Sequence, residues 1–371
     1  MKHLFSLFFF VIVIPFWAQE YEFEIVKDLE ASSVKSQGRT GTCWSFSTSS
    51  FLESEIYRLT EKKIDVSEMY LVRETYEKKA WNYVMRQGKT QLSEGGLAHD
   101  VINAVATGGI VPQSEFQDVF GNDKIYNHKG LVPQVKEILD AYIKNDKDSK
   151  FPNWKESIAP ILDAKVGHKP KSFVYKGTTF TPLEFRDFLK IVPENYISLT
   201  SFTHEDYYKE FVLNIPDNFS NGSFYNLPLE ELTHIARQAI MNGYSISLDV
   251  DVSEPTFSPK EGLAVLPNNS TQEDNGLTKI VEEVLVTPEL RQYEFECYNT
   301  TDDHLMHITG LVKDQKGRYY FKVKNSWGSN SERVGNNGYI YMSMPYFKMK
   351  TISILLHKNA LSLELQTKLK L

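Results

Sequence analysis

The sequence predicts an α+β protein of two lobes joined through a helix-favouring middle, and three observations carry that prediction. A helical spacing of apolar residues, Leu52, Ile56 and Leu59, begins close to the N-terminus. Residues 116–235 alternate charged, helix-favouring stretches with Pro and Gly breaks. Residues 236–358 then turn to the two-residue alternation of strands, as in Tyr244-Ser245-Ile246-Ser247-Leu248-Asp249-Val250 and Gly338-Tyr339-Ile340-Tyr341-Met342-Ser343-Met344. At 371 residues the chain has room for roughly two to three domains and a cleft between them.

The first element is not part of that fold. A short positive start, Lys2 and His3, leads into an apolar run from Leu4 to Trp17, and the small residue Ala18 precedes polar sequence. This is the pattern of a secretory signal. The run falls short of the roughly 20 apolar residues of a bilayer span, and Pro15 interrupts it. Residues 1–18 are therefore expected to be a signal peptide, and the protein to be exported, periplasmic or extracellular. No comparably long apolar run follows, so no membrane span is expected after removal of the signal. Lys and Arg total 41 against 48 Asp and Glu, a formal net charge of -7. An acidic chain without a basic run is a poor nucleic-acid binder, and that class is set aside.

The next element carries chemistry. Residues 36–52 read Ser-Gln-Gly-Arg-Thr-Gly-Thr-Cys-Trp-Ser-Phe-Ser-Thr-Ser-Ser-Phe-Leu. Gly38 and Gly41 allow a tight path before the helical face, so Cys43 falls at or near a helix N-terminus. Unpaired N–H groups and the positive end of the helix dipole favour thiolate over thiol there. Gln37 lies six residues earlier, where its amide can donate to an oxyanion forming at Cys43. Such a donor is worth roughly 3–4 kcal/mol in the transition state. For an isolated Gly-x-Cys-Trp, a small buried cysteine beside a core tryptophan is an equally good reading. Pairing of Cys43 with the only other cysteine, Cys297, is also left open by the sequence.

A thiolate needs a base. Most of the nine histidines lack a supporting motif; the exception is Asp302-Asp303-His304-Leu305-Met306-His307. It opens a strand that reaches a turn at Lys313-Asp314-Gln315-Lys316-Gly317, and a second strand follows from Arg318 to Gly328. Two adjacent antiparallel strands can set a histidine beside Asn325, whose amide would orient the imidazole exchanging a proton with Cys43. His304 and His307 face opposite sides of a regular strand, so one of them can serve. A zinc site fits poorly, because His-x-x-His lacks the helical His-Glu-x-x-His spacing and a third ligand. No metal and no cofactor are expected.

Gln37-Gly38-x-x-Gly41-x-Cys43-Trp44, the Asp303-His304 pair and Asn325-Ser326-Trp327-Gly328 together resemble the papain-like cysteine peptidases. The resemblance implies their two-lobe α+β fold, a helical lobe packed on an antiparallel β-barrel-like lobe. It makes Cys43 the nucleophile and His304 the base, since His304 stands six residues before Gly310. It makes Asn325 the orienting amide and Gln37 the oxyanion-hole donor. Trp44 supports the site, and Trp327 covers the asparagine–histidine hydrogen bond. Two departures narrow the match. Thr40 stands where secreted papain-like enzymes usually carry a disulfide cysteine, and His304 lies 261 residues beyond Cys43, against about 130–150 in papain and cathepsins.

Both departures are similar to the bleomycin hydrolase and aminopeptidase C branch, which carries a large insertion between the lobes. Ser93-Glu94-Gly95-Gly96, the stretch from Leu199 to His204, the stretch from Asn218 to Asn226 and Asp249-Val250-Asp251-Val252-Ser253 resemble it too. In that branch a C-terminal arm enters the cleft, and its terminal carboxylate receives the substrate amine. Here that would make Leu371 the amine anchor. The branch also forms hexameric rings, so a homo-oligomer is implied.

The chain thus divides into a signal peptide (1–18), a helical lobe with the nucleophile helix (19–115), a helical insertion (116–235), a β-rich lobe carrying His304 and Asn325 (236–358) and a C-terminal arm (359–371). The polar stretch from Pro267 to Gly276 is expected as a loop. Leu361, Leu365 and Leu369 equally mark one stripe of a docked surface helix. The expected function is a secreted cysteine peptidase that hydrolyses peptide substrates through a Cys43 thioester, removing N-terminal residues. An endopeptidase, a peptidyl transferase and a non-catalytic peptide-binding protein on the same fold are the alternatives.

Overall fold

The computed structural model describes residues 20–144, 153–268 and 276–371. The expected signal peptide, and most of the expected loop between Pro267 and Gly276, lie outside the described residues. Among the described residues no helix is long and apolar enough to cross a membrane.

The chain enters along strand β1 (Phe23–Asp28) and reaches the central helix α1 (Cys43–Thr60). Every position of α1 from Cys43 to Ile56 is buried. Its sequence explains how a helix can be covered on all sides. Phe51, Leu52 and Ile56 supply an apolar face, while the run of small hydroxyl residues lets strands approach closely. Ser47 Oγ donates to the Met306 carbonyl at 2.6 Å, and Ser50 Oγ meets His307 Nδ1 at 2.8 Å. Helices α2 (Glu68–Met85) and α3 (Ala98–Gly108) complete the helical lobe. Gly109 ends α3 at φ +83°, and a Cβ there would collide with the Pro182 backbone. Only glycine joins the two elements at that approach.

The segment of residues 116–235 opens with helices α4 (Leu131–Lys144) and α5 (Trp154–Lys165). A hairpin of β2 (Phe173–Tyr175) and β3 (Thr178–Phe180) follows, and then α6 (Pro182–Phe188), opened by a capping box of Thr181 and Glu184. Its later part corrects the expectation of a purely helical insertion. Strands β4 (Tyr196–Thr200), β5 (Glu210–Val212) and β6 (Ser223–Asn226) extend the main sheet. All five residues of β4 are buried, so the alternation that reveals a half-exposed strand is missing there.

The C-terminal lobe comprises α7 (Leu229–Met241), β7 (Ile246–Val250), β8 (Phe257–Ser258), β9 (Leu263–Ala264), α8 (Pro288–Glu296), β10 (His304–Asp314), β11 (Tyr319–Lys324), β12 (Tyr339–Ser343), α9 (Met344–Lys350), β13 (Thr351–His357) and α10 (Leu363–Leu369). The strands run in the order β5-β6-β4-β13-β7-β10-β11-β12-β9-β8, with β1 also pairing on β10. The path is mainly antiparallel, with parallel pairs at β4–β6 and β9–β12. One apolar core fills the helical lobe around Trp44, Phe51, Tyr83 and Phe185, and a second lies against the sheet around Ile246, Phe321 and Phe347. Helix α1 packs on β10, which begins at His304. In the β10–β11 ladder His307 pairs with Lys324, which brings the start of β10 beside Asn325 at the end of β11.

Candidate active site

The loop before α1 is stitched to the stretch after β11. Gln37 N–H donates to the Ser326 carbonyl at 2.9 Å and Gly328 N–H to the Lys35 carbonyl at 3.1 Å, flanking a bridge between Ser36 and Trp327. That zipper brings Gln37 and Cys43 from one lobe to Asn325 and Trp327 from the other. The Cys43 sulfur accepts from the backbone N–H groups of Leu305 and Trp44, which sets it at the start of β10, the strand that His304 opens. Cys43 is 9% exposed and His304 4%.

The hydrogen bonds assign the imidazole's proton. Asn325 Oδ1 accepts from the Ser326 N–H at 2.7 Å, so that atom is the oxygen, and His304 Nε2 lies 2.8 Å from it. Nε2 must then carry a hydrogen, leaving Nδ1 as the basic nitrogen of the neutral ring. The Trp327 ring covers the imidazole at 4.7 Å between centroids, tilted by 32°. His307, the alternative base, is turned away: its Nδ1 is on Ser50 and its ring edge on Phe51.

The Gln37 amide is oriented by the same logic. Its Oε1 accepts from Ser326 Oγ at 2.6 Å, and its Nε2 donates to the Thr40 carbonyl at 2.7 Å. These two bonds leave the second Nε2 hydrogen free of an acceptor among the described residues. Thr40 holds this turn through Oγ1, which reaches the Gln37 carbonyl at 2.8 Å and Thr42 Oγ1 at 2.6 Å. A polar turn thus stands where a disulfide was absent from the sequence. Cys43 and Cys297 are both free, one buried and one exposed, so the pairing left open by the sequence is not made. Trp44 is fully buried and donates from Nε1 to the Glu94 carbonyl at 3.0 Å.

The electrostatics differ from the expectation at Cys43. A helix start favours thiolate, yet burial pushes this thiol up to about 12, and the carboxylates of Asp302 and Asp217 add to the shift. The N–H groups of Leu305 and Trp44 oppose it. Burial likewise pulls His304 down to about 4, with the Asn325 hydrogen bond acting the other way. Burial thus pushes each group, taken by itself, toward its neutral form. Moving one proton from sulfur to Nδ1 creates both charges side by side, where their attraction offsets the desolvation.

Two arrangements lay outside the sequence reading. Glu53, Asp65 and Glu68 gather their carboxylates within metal-binding reach of one another, but the Lys35 ammonium sits among them, 2.5 Å from Glu68 and 3.5 Å from Glu53. The other is a set of carboxylates: Asp217 and Asp302, whose charges act on Cys43, and Asp249 behind them. The adjacent glycines Gly95 and Gly96 were the available signal for it: a Cβ on Gly95 would strike the Asp217 carboxylate. Leu371 is not brought to the site. It lies two residues beyond α10, its N–H on the Gln366 carbonyl at 3.0 Å, while Leu365 and Leu369 pack into the sheet-side core and Lys368 lies 3.0 Å from the centre of the Tyr208 ring. The stripe reading of the tail, rather than the arm in the cleft, describes its packing.

Residues 21–179 match the family described as papain family cysteine protease, and residues 167–371 match the Peptidase C1-like family. Aminopeptidase G of Lactobacillus delbrueckii subsp. lactis is 23% identical over 380 residues, covering 91% of this chain and 84% of that protein. Aminopeptidase C of Listeria monocytogenes is 23% identical over 382 residues, covering 91% and 83%. The crystal structure of PepW from Lactobacillus rhamnosis HN001 superposes with a TM-score of 0.73 at 18% identity, over 94% of this chain and 84% of that one. That superposition shows a shared fold.

Proposed function

The chain belongs to the Peptidase C1-like family and is a papain-like cysteine peptidase, and from that premise we propose that it removes N-terminal residues from peptides through a thioester on Cys43. The observation that carries the chemistry is the His304 Nε2–Asn325 Oδ1 hydrogen bond of 2.8 Å under Trp327, which leaves Nδ1 as the base at the buried thiol. In this reading Nδ1 takes the Cys43 proton as sulfur attacks the scissile carbonyl. The free Gln37 Nε2 hydrogen stabilises the oxyanion. The imidazolium then returns its proton to the leaving amine, and water activated by the same nitrogen releases the acyl group.

The aminopeptidase part rests on the names carried by the full-length relatives. The apolar N-terminal run supports export as a working assignment of place. The docking of the tail on the sheet-side core and on Tyr208 favours a second reading, an endopeptidase with an open cleft. One experiment separates the two: a fluorogenic peptide with a free N-terminus is compared with the same peptide acetylated, with Cys43→Ala as the blank. Faster cleavage of the free peptide, lost in Cys43→Ala, supports the aminopeptidase. Equal or faster cleavage of the acetylated peptide refutes it and leaves the endopeptidase.

A further inference from the structure

Resting on the aminopeptidase reading, we infer that the substrate's N-terminal ammonium is received by the carboxylates of Asp217 and Asp302, and not by the chain's own C-terminus. Asp217 stands in a loop that the Asn218 side chain braces, donating to the Leu213 and Gly222 carbonyls at 2.8 and 3.0 Å and accepting from the Gly222 N–H at 2.8 Å. The loop is therefore held in shape before any ligand arrives. Both donors that reach Asp217, Gln91 Nε2 and Ser93 Oγ at 3.2 Å, go to Oδ1. Its Oδ2 lies over Gly95 with no donor among the described residues. Gly96, the next residue, packs on the Trp44 ring, where a Cβ would come within 3.2 Å. The free carboxylate oxygen thus stands one residue along from the glycine that packs on Trp44, the neighbour of the nucleophile, and its charge is felt at Cys43.

Behind it lies a carboxyl pair. Asp249 is 2% exposed and its side chain is hydrogen-bonded to that of Asp302, which also accepts from the Asp217 N–H; apart from that shared proton, no donor among the described residues reaches Asp249 Oδ1 or the buried Asp302 Oδ2. Asp302 and Asp217 are the charged neighbours that face Asp249. One proton shared between Asp249 and Asp302 satisfies part of this set, but a negative charge remains. The buried cation nearby, Lys79, offsets part of it by favouring the charged form of Asp217. Its ammonium donates to the Gly95 carbonyl and rests 4.9 Å from the centre of the Phe219 ring, facing the carboxylates of Asp217, Asp100, Asp302 and Glu94.

An ammonium with three hydrogens supplies what this site lacks, and its charge has a second effect. Asp302 and Asp217 oppose ionisation of Cys43 in the empty site. A substrate amine seated on them removes that opposition, so binding of a free N-terminus also eases thiolate formation.

The test uses the full chain and one aminoacyl fluorogenic peptide, free or acetylated at its N-terminus. For Asp217→Asn and Asp302→Asn, kcat/KM on the free peptide is expected to fall at least tenfold. Turnover of the acetylated peptide, which also reports a folded site, should hold or rise. Removal of Leu371 should leave the ratio unchanged. Asp217→Glu should recover part of the preference. Unchanged free-over-acetylated ratios in both aspartate variants, or an equal loss on both peptides that Asp217→Glu does not mend, overturn the assignment and leave the aminopeptidase reading standing. Loss of the preference on removing Leu371 alone returns the amine to the tail. A native enzyme that prefers the acetylated peptide overturns the aminopeptidase reading itself.

Discussion

Asn325 does two things with one oxygen: it accepts the Ser326 N–H and fixes which nitrogen of His304 carries hydrogen. Replacing it with Ala leaves the imidazole free to rotate and to change tautomer. Asn325→Ala is expected to lower kcat by roughly tenfold to a hundredfold with a smaller effect on KM, since an oriented base acts mainly in the transition state. Steady-state kinetics on one peptide decides this; a change confined to KM contradicts it. The sign of the histidine shift gives a second check. Burial lowers His304 to about 4, so the base stays unprotonated well below the ordinary value near 6.5. The acid limb of kcat/KM on an acetylated peptide should therefore have its midpoint below 6.5. An acid limb centred above 6.5 would mean that the ring is not desolvated as described.

At the scale of elements, the site's main parts were legible because they sit where local rules are strong. Glycines before a helical spacing placed Cys43 at a helix start, and α1 does begin there. Alternation and a turn placed His304 and Asn325 on adjoining strands, and β10 and β11 form that pair. Asp217 was legible only indirectly, through the small residues Gly95 and Gly96 that admit its carboxylate, because its own local sequence is an ordinary loop. Strand β4 was missed because burial on both faces erases the two-residue pattern. The tail carried an apolar stripe that fits a docked helix, while the resemblance argued for an arm, and the packing of Leu365 and Leu369 follows the stripe. The junction of α3 with the insertion makes its own prediction. Gly109→Ala would force a left-handed φ on alanine and press its Cβ into the Pro182 backbone. A stability loss of at least about 1–3 kcal/mol in urea unfolding is expected; a loss below a few tenths contradicts this close approach.

For the molecule as a whole, two cores with a fully covered helix between them imply that the site depends on both lobes staying together. Buried neutral histidines couple that cohesion to acidity. His128 is 1% exposed, and burial lowers it to about 4, with the charge of Lys165 adding to the shift. A base whose folded value lies below its unfolded value near 6.5 favours the folded state fully above 6.5. That contribution is lost as pH falls toward 4, because the unfolded chain binds the proton first. The raised carboxyls Asp302 and Glu68, each near 7, run with the opposite sign through the same window, so the difference against a variant is the clean quantity. His128→Gln should be less acid-sensitive than the native protein by up to about 1.4 kcal/mol per pH unit between 6.5 and 4. Parallel pH profiles of unfolding free energy for the two proteins would place His128 in contact with water.

The central claim is that Cys43, although buried and poorly ionised at rest, is the nucleophile that a peptide activates, while the exposed Cys297 is a bystander. The most direct measurement is stoichiometric reaction with a peptidyl halomethyl ketone, followed by intact mass and peptide mapping alongside residual activity. A single adduct on Cys43, formed in step with loss of activity and absent when His304 is replaced by Ala, is the predicted result. An adduct on Cys297 with activity retained, or inactivation without modification of Cys43, would contradict the account.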